Sequence, residues 1–320
     1  MNCTKKIKTA FLILKQKGIR GIIDRIYEKY IRRTRTYDFY KTLNPGKYKK
    51  ELAIWFKVHT GQELNWKHPT GFNQKIQYLK LYDSTPLKTK LVDKYLVKSW
   101  VAEKIGEQYV VPLLGVFNSF DEIDFSKLPQ KFVLKGTQHG VILVEKKNMC
   151  IEEIKKKCHA FLTVNFAYLY GFELQYKDVP PRLIVEEFLE ADTIYDYKVW
   201  CFHGNPEFIG IQHIDKDGNI YINFYDTDWN LQHFSSYKNT TIPIDKPKQL
   251  DELLKLAKIL SQGFLFVRVD FYILKDGTIK FGEMTFTPGS GIVHWNYPYA
   301  DEFLGSKLTL PLDVRTTDFK

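Results

Sequence analysis

The sequence predicts a mixed α+β fold with antiparallel sheets, preceded by a basic, helical N-terminal region. Three observations support this prediction. Up to about residue 105, apolar residues recur at the spacing of amphipathic helices. Further along, β-branched and aromatic runs of strand length dominate. Turn sequences such as His-Gly-Asn-Pro at 203–206 and Asp-Lys-Asp-Gly-Asn at 215–219 separate successive runs, which is the pattern of an antiparallel meander.

The composition indicates a globular chain with anionic partners. Its 320 residues suffice for two or three subdomains with a sizeable core. The formal net charge of +10 favours nucleotide phosphates, an acidic glycan, nucleic acid or an anionic membrane surface as partners, although a lysine-rich surface explains it equally well. The four cysteines lack the spacing of a zinc site, and no apolar run reaches the roughly 20 residues of a membrane span. We therefore expect a cytoplasmic protein.

Residues 1–60 form the predicted basic helical arm. Lysine and arginine are in large excess there, and apolar residues follow a helical spacing at Ile7, Phe11, Leu14, Ile19, Ile22, Ile23 and Ile26. Such an arm either lies on the anionic inner face of the membrane or packs on the body of the protein or on another subunit. A short helix is expected at Glu51–Val58.

Two further helices are expected before the first strand. Phe72, Ile76 and Leu79 share one helical face. Residues 90–105 are predicted to form one continuous helix that stops at Gly106, with Lys94 and Lys98 on the same face. Two lysines on a partly apolar face need an anion or a carboxylate nearby.

The next segments alternate between strands and helices. Strands are expected at 110–117, 132–135, 141–147 and 183–189, in the three runs of the meander and in a later hairpin, and helices at 151–165 and 247–260. The loop 136–140 contains two glycines and follows Lys135, so its backbone N–H groups can fold over a polyphosphate.

The hairpin is the most informative stretch. Its two strand-type runs, FLFVRVDFYIL and TIKFGEMTF, flank a Lys-Asp-Gly turn at 275–277. Alternation places Arg268 and Asp270 on one face of the first strand, and Glu283 and Thr285 on one face of the second. If the strands pair antiparallel, an arginine and two carboxylates meet across the ladder. This is the layout of a magnesium-phosphate site.

Eight phrases in fixed order resemble the TupA-like group of the ATP-grasp superfamily. The resemblance runs from about Phe72 to Pro311 and includes FNQKIQYLKLYD, TKLVDKYLVKSWVAEKIGE, FDEIDFSKLPQKFVLK, VEEFL, DYKVWCFHGNP, RVDFY, FGEMTFTPGSG and LGSKLTLP. It implies an ATP-grasp fold, in which two α+β subdomains grip ATP. The expected boundaries are 61–124 for an N-terminal subdomain, 125–190 for the small subdomain and hinge, and 191–320 for the large subdomain with the metal site.

The resemblance also implies a nucleotide site. Lys94 and Lys135 resemble the lysines that hold the α- and β-phosphates. The hinge comprises Glu186, Glu187, Phe188 and Leu189; its backbone reads the adenine edge, Phe188 covers the ring, and either glutamate accepts from the exocyclic amine. Asp192 or Asp196 binds the ribose. His139 either contacts phosphate or is a solvated loop histidine.

The resemblance places the chemistry at the hairpin. Lys198 resembles a γ-phosphate ligand, and Arg268 the arginine that stabilises the transferring phosphoryl group. Asp270 and Glu283 resemble Mg²⁺ ligands, and Thr285 stands at the third metal-ligand position, where asparagine is common. Thr287, Gly289 and Ser290 lie where the acceptor carboxylate binds. The loop 136–140 has fewer glycines than the family's phosphate loop.

The implied activity is that of an ATP- and Mg²⁺-dependent carboxylate–amine ligase. Its implied substrates are an acidic sugar of a bacterial surface polysaccharide and an amine, and nucleic acid is not an expected partner. A glycosyltransferase is the alternative from another class, because Asp226 and Asp228 form a DxD after a strand. A sugar kinase and an ATP-binding but inactive member are the further alternatives.

Overall fold

The computed structural model describes residues 26–189, 195–214, 220–236 and 244–311. The chain divides into two compact units, Met1–Glu63 with Thr317–Lys320, and Leu64–Thr316. The predicted apolar positions of the arm before Ile26, the candidate ribose ligand Asp192 and the turn at 215–219 lie outside the described residues.

The described part of the first unit is helical, as the sequence predicts. It contains α1 (26–34), α2 (Tyr37–Thr42) and α3 (Tyr48–Thr60). Helix α3 is longer than the expected helix at 51–58 and ends at Gly61, whose φ of 73° is the left-handed conformation that glycine adopts most readily. Leu52 and Phe56 of α3 are fully buried, and Arg35 bonds Glu51 at 3.2 Å.

A four-stranded antiparallel sheet begins the second unit. It contains β1 (Leu113–Phe117), β2 (Lys131–Gly136), β3 (Val141–Glu145) and β4 (Leu183–Glu187), in the order β1-β4-β2-β3. Helix α7 (Ile151–Thr163) covers one face, where it packs Ile154 and Cys158 against apolar side chains of β2, β3 and β4. Because strand side chains alternate, the opposite face presents Val133, Lys135 and Glu186.

The second sheet has five antiparallel strands in the order β7-β6-β5-β8-β9. They are β5 (Asp196–Phe202), β6 (Asn205–Ile214), β7 (Ile220–Asp226), β8 (Phe266–Ile273) and β9 (Ile279–Thr285). The predicted meander is therefore β5 to β7, and the predicted hairpin is β8 and β9. Helix α8 (Leu250–Ser261) packs on one face.

An aromatic core covers one end of the other face of this sheet. Phe72, from α4 (Phe72–Tyr82), packs against Trp200 and Phe266 with ring-centroid distances of 5.3 and 5.0 Å. Helix α9 (Ala300–Ser306) adds Leu304 to the same core. Short 3-10 turns complete the described chain at Pro45–Lys47, Glu107–Tyr109, Phe120–Glu122, Phe125–Lys127, Lys146–Asn148, Phe166–Tyr168, Leu174–Tyr176 and Pro288–Gly291.

The prediction of one continuous helix over residues 90–105 is wrong. The segment contains the end of α5 (Pro86–Val92) and all of α6 (Leu96–Ile105), separated at Asp93. One carboxylate oxygen of Asp93 accepts from the backbone N–H groups of Tyr95 and Leu96 at 2.8 and 3.2 Å, and the other bonds Arg182 at 2.6 Å. These bonds of Asp93 form a local turn between α5 and α6, so Lys94 lies in the connection and not on a helical face shared with Lys98. In the described ranges, no helix is long and apolar enough to cross a bilayer.

Candidate active site

The free faces of the two sheets line a cleft of about 210 Å³ in the second unit. Residues from α5–α6, β2, β4, β8 and β9 contribute to it. Its lining residues are Lys94, Val111, Val133, Lys135, Val141, Glu186, Glu187, Phe188, Leu189, Tyr272, Gly282 and Glu283. The cleft therefore brings together two predicted phosphate lysines, the whole predicted hinge and one predicted metal ligand.

The predicted arginine–carboxylate contact across β8 and β9 is present. Arg268 donates from Nε and Nη2 to the two oxygens of Asp270 at 2.7 and 2.6 Å, and from Nη2 to Glu283 at 3.1 Å. Thr285, which faces Arg268 in the ladder, also accepts from Nη2 at 3.1 Å. A bidentate arginine fixes the orientation of the Asp270 carboxylate.

Lys198 extends this group from the neighbouring strand. It faces Asp270 in the β5–β8 ladder, and its Nζ lies 3.2 Å from Oδ2 of Asp270 and also bonds Asp196. Burial alone would lower the pKa of Lys198, but Asp270 and Asp196 raise it. Oδ1 of Asp196 is buried without a hydrogen-bond partner. Burial and the charge of Asp270 raise the pKa of Asp196 to about 6.

Glu283 joins the two sides of the cleft. Its Oε2 lies 3.4 Å from Nζ of Lys94, which reaches in from the α5–α6 connection. Desolvation would raise the pKa of Glu283, but Lys94 and Arg268 lower it to about 2. The carboxylate is therefore ionised over the whole physiological range. Together these groups form what we call the β8 cluster: Lys94, Lys198, Arg268, Asp196, Asp270 and Glu283.

A second group, the β4 cluster, comprises Lys98, Lys135 and Glu186. The two lysines lie 2.5 Å from different oxygens of the Glu186 carboxylate, and Lys98 also donates to the carbonyl of Val111 at 2.9 Å. Burial would raise the pKa of Glu186, but Lys135 and Lys98 lower it. Sequence reasoning gave Lys98 no place in the site, although its partly apolar helix face indicated that a carboxylate lies nearby.

The hinge residues after β4 differ in their contacts. Glu187 has an exposed side chain and donates its backbone N–H to Pro112 at 3.1 Å. Phe188 stacks under the Lys131 ammonium group at 5.5 Å. The carboxylate of Glu186 is engaged by both lysines, so Glu187 has the freer side chain of the two candidate acceptors for the adenine amine. Those assignments stay predictions.

The loop between β2 and β3 is held by the segment 164–182. Thr137 is fully buried; its Oγ1 donates to Pro180 at 2.7 Å and accepts from the N–H of Arg182 at 3.0 Å. Gln138 donates to Val179 at 2.8 Å. His139 packs inward, with Nε2 3.2 Å from the carbonyl of Val164, and burial lowers its pKa. The imidazole is therefore half-buried, not a solvated loop side chain.

The loop after β9 presents only part of the predicted acceptor site. Thr287 is buried, donates its hydroxyl to Glu173 and accepts from Gln175 at 2.8 Å. Ser290 is also buried, whereas Gly289 is exposed. Sequence reasoning missed Glu173, because no local pattern links it to a loop more than a hundred residues away.

The DxD after β7 forms a turn. The carboxylate of Asp226 accepts from the backbone of Asp228 at 3.0 Å, and from the backbone and side chain of Asn230 at 2.8 and 3.0 Å. Its oxygens thus satisfy local backbone donors, which is the usual behaviour of aspartate in turns. The strand before it belongs to an antiparallel meander and not to a parallel nucleotide-binding sheet.

The donor set fits a magnesium–nucleotide complex better than a bare metal ion. Among the described residues, no three His, Cys, Asp or Glu side chains cluster as a metal site. Asp270 and Glu283 supply two carboxylates, and Mg²⁺ commonly binds one or two carboxylates together with phosphate and water oxygens. The unpartnered oxygen of Asp196 also leaves one buried acceptor for a ligand donor.

Comparisons with known proteins give one family and several distant structural neighbours. The family model described as TupA-like ATPgrasp matches residues 74–309. No curated protein matches the sequence. An L-amino acid ligase from Bacillus licheniformis is 14% identical over 69% of this chain and 50% of its own, with a TM-score of 0.42.

Two further solved structures are similar at the same level. A D-alanine–D-alanine ligase from Bacillus anthracis, complexed with ATP, is 17% identical over 62% of this chain and 56% of its own, with a TM-score of 0.39. An N5-carboxyaminoimidazole synthase from Aspergillus clavatus is 13% identical over 70% and 53%, with a TM-score of 0.37. The chain thus spans about half the length of these structures.

Proposed function

The chain belongs to the TupA-like ATP-grasp family, which confirms the resemblance of its sequence phrases, and on that premise we propose that it is an ATP-dependent carboxylate–amine ligase. In this reaction a substrate carboxylate oxygen attacks the γ-phosphorus of ATP, and ADP leaves. The amine nitrogen then attacks the carbonyl carbon of the acyl-phosphate. An amide forms, and inorganic phosphate and a proton are released.

The β8 cluster is the observation that carries the proposal. Arg268 and Lys198 reach the Asp270 carboxylate from two adjacent strands, within 3.2 Å. Phosphoryl transfer needs cations on the transferring group and carboxylates on its metal ion, in one preorganised place. The cluster supplies both, and two of its members, Lys94 and Glu283, line the cleft that also contains the hinge.

Charge balance supports the fit of magnesium and nucleotide together. In the β8 and β4 clusters, five cations neutralise four carboxylates through direct ion pairs. A bound Mg²⁺ ion would compensate Asp270 and Glu283, while the phosphates take over their cations. After this exchange of partners every buried charge still has a counter-charge. A buried charge without one would be costly in free energy. Magnesium, when bound, supplies Lewis-acid stabilisation of the phosphate oxygens.

We assign the nucleotide contacts accordingly. Lys94 and Lys135 would hold the α- and β-phosphates and Lys198 the γ-phosphate, with His139 behind the phosphate loop. The hinge 186–189 would bind adenine and Asp196 the ribose. Thr285, bonded to both Arg268 and Glu283 at 3.1 Å, would orient these two groups more than it would bind metal.

The acceptor is proposed to be an acidic sugar of a bacterial surface polysaccharide, and the loop 287–291 to receive it. The net charge of +10 supports an anionic substrate. Because Thr287 and Ser290 are buried, the exposed backbone at Gly289 is the part of the loop that would contact the acceptor.

The basic arm is proposed to contact the inner face of the membrane. Helix α1 exposes Ile26, Tyr27 and Tyr30 with exposed fractions of 65, 43 and 56%. Arg32 and Arg33 are exposed beside them. Aromatic and aliphatic side chains next to cations suit the interface of an anionic bilayer.

One experiment tests the reaction class. The protein is incubated with Mg-ATP, a panel of uronic acids and uronate-containing glycans, and a panel of amino acids and simple amines. The expected products are ADP and an amide, detected by mass spectrometry. The amide has the mass of the carboxylate substrate plus that of the amine minus one water. Asp270→Asn and Glu283→Gln should abolish both products, whereas Asp226→Asn should retain them.

Other products would contradict the ligase. A phosphorylated sugar without amide would identify a sugar kinase that uses the same nucleotide site. Hydrolysis of a UDP-sugar that Asp226→Asn abolishes would favour the glycosyltransferase. Full ADP formation by Asp270→Asn would refute the magnesium assignment.

A further inference from the structure

The loop after β9 has an uncommon backbone conformation. Gly289, Ser290 and Gly291 follow one another with φ of 54°, 54° and 63°. Ser290 is therefore a non-glycine residue in the left-handed region, which few residues adopt without support from their surroundings. The loop begins two residues after Thr285, which bonds Arg268 and Glu283 of the β8 cluster. The strained segment thus lies at the end of the strand that carries the chemistry.

A buried polar network holds this loop. Glu173, only 3% exposed, accepts the hydroxyl hydrogen of Thr287. Gln175 donates to the same hydroxyl at 2.8 Å. From α4, the fully buried Gln77 donates to the carbonyls of Ser290 and Gly291 at 3.1 and 2.8 Å. Buried side chains therefore form hydrogen bonds with both ends of the loop.

A lysine that is itself wholly buried attracts the charge of Glu173. Lys80 lies one helical turn after Gln77 and donates to the carbonyl of Tyr170 at 2.9 Å. Burial lowers the pKa of Lys80 and raises that of Glu173, while their mutual attraction opposes both shifts. Replacing a buried ion pair by apolar residues is often neutral or even stabilising. These two buried charges are therefore weak evidence for a purely stabilising role.

We propose that Glu173, through its hydrogen bond with Thr287, is a positioning residue that fixes loop 287–291 so that the exposed backbone at Gly289 can receive the acceptor. The assignment rests on the proposed function, in which this loop binds the acceptor. Glu173 is too deeply buried to touch a reactant. It acts through Thr287, whose hydroxyl it orients, and through the left-handed turn that follows.

The test separates loop geometry from stability. Glu173→Met leaves Lys80 buried without its counter-charge, so this variant should be strongly destabilised. The double variant Lys80→Met/Glu173→Met has no unpaired charge and should unfold at a higher temperature than the single variant. Lys75→Met is the matched control, because Lys75 lies on the same helix as Lys80. Its ammonium group donates to the carbonyls of Gly305 and Leu308, which lie outside loop 287–291.

Two measurements follow in the full-length double variant. Amide hydrogen exchange at Ser290 and Ile292, whose N–H groups bond within the loop at 2.9 and 3.1 Å, should become faster than in wild type and in the control. With the carboxylate and amine that the panel above identifies, the acceptor KM should rise about tenfold or more, since small misplacements of bound groups are costly. The KM for ATP and the affinity for Mg-ADP should not change.

The outcomes are distinguishable from a failure of the proposed function. If wild type forms no condensed product from any pair, the ligase proposal fails. If wild type is active but the double variant keeps its acceptor KM, the role of Glu173 is refuted. Unchanged exchange at Ser290 and Ile292 would refute it as well, and so would a parallel rise in the KM for ATP.

Discussion

The ammonium group of Lys98 lies 2.5 Å from Oε1 of Glu186, while the other oxygen of that carboxylate lies the same distance from Lys135. Lys98 thus neutralises part of the negative charge of Glu186. Without Lys98, the Glu186 carboxylate would bind Lys135 more tightly. Through this contact, a residue of α6 influences how readily Lys135, a proposed phosphate ligand, leaves its carboxylate for a nucleotide.

Lys98→Met should weaken nucleotide binding although Lys98 is not assigned to a phosphate. The buried Glu186 then depends on Lys135 alone, so Lys135 is less available to phosphate. We expect the Kd for Mg-ADP, measured by titration calorimetry, to rise about tenfold and the free energy of unfolding to fall by about 1–3 kcal/mol. Lys127→Met removes an exposed lysine that is 82% accessible, and it should change neither quantity.

Arg268→Lys should impair catalysis much more than nucleotide binding. Lysine keeps the charge but cannot reproduce the two-pronged contact with Asp270 or reach Glu283 and Thr285 from the same nitrogen. The expected loss in kcat is on the order of 10²-fold, with the KM for ATP almost unchanged. If the variant instead raises only the KM for ATP and keeps kcat, Arg268 acts in ground-state binding of the nucleotide.

Thr137→Val should destabilise the loop 136–140, which is proposed to cover the phosphates. The substitution keeps the shape of the side chain but removes bonds of 2.7 and 3.0 Å at a fully buried position. The expected cost is about 1–3 kcal/mol, measured by urea unfolding. Thr163→Val removes a hydroxyl that bonds the helix backbone at an exposed position, and it should have little effect. Equal unfolding curves for the two variants would show that the loop does not depend on Thr137.

His139 should make stability depend on pH. Because burial lowers its pKa below 6.5, the unfolded chain binds a proton more readily than the folded protein. The neutral imidazole thus contributes stability that is present above 6.5 and is lost as the pH falls through the lowered folded pKa. Tm measured from pH 8 to 5 should fall less in His139→Phe and His139→Gln than in wild type. Parallel curves in all three proteins would contradict this assignment.

Much of the site was predictable because its signals are local. Alternation along β8 and β9 and the Asp-Gly turn between them predicted that, in an antiparallel hairpin, Arg268 meets the carboxylates of Asp270 and Glu283, and the structure contains both contacts. The resemblance to the ATP-grasp family then predicted that Lys94, Lys135 and Lys198 belong to the same site as these residues.

The parts that sequence reasoning missed depend on contacts between distant segments. Arg182 reaches Asp93 from 89 positions away, where the predicted helix is broken. Glu173 and Thr287 are separated by 114 positions. Neither contact changes the local hydrophobic pattern, so periodicity cannot reveal it.

If the two clusters bind the nucleotide as proposed, their near-neutrality has a consequence for nucleotide selectivity. Their cations outnumber their carboxylates by one, among the residues that the structure describes. Metal-free ATP carries more negative charge than this small excess can offset, and it would meet Asp270 and Glu283 as repelling neighbours. The chelated nucleotide brings its own counter-charge to those carboxylates. The cleft would therefore bind metal-free ATP weakly. The nucleotide would bind well only as its Mg²⁺ complex.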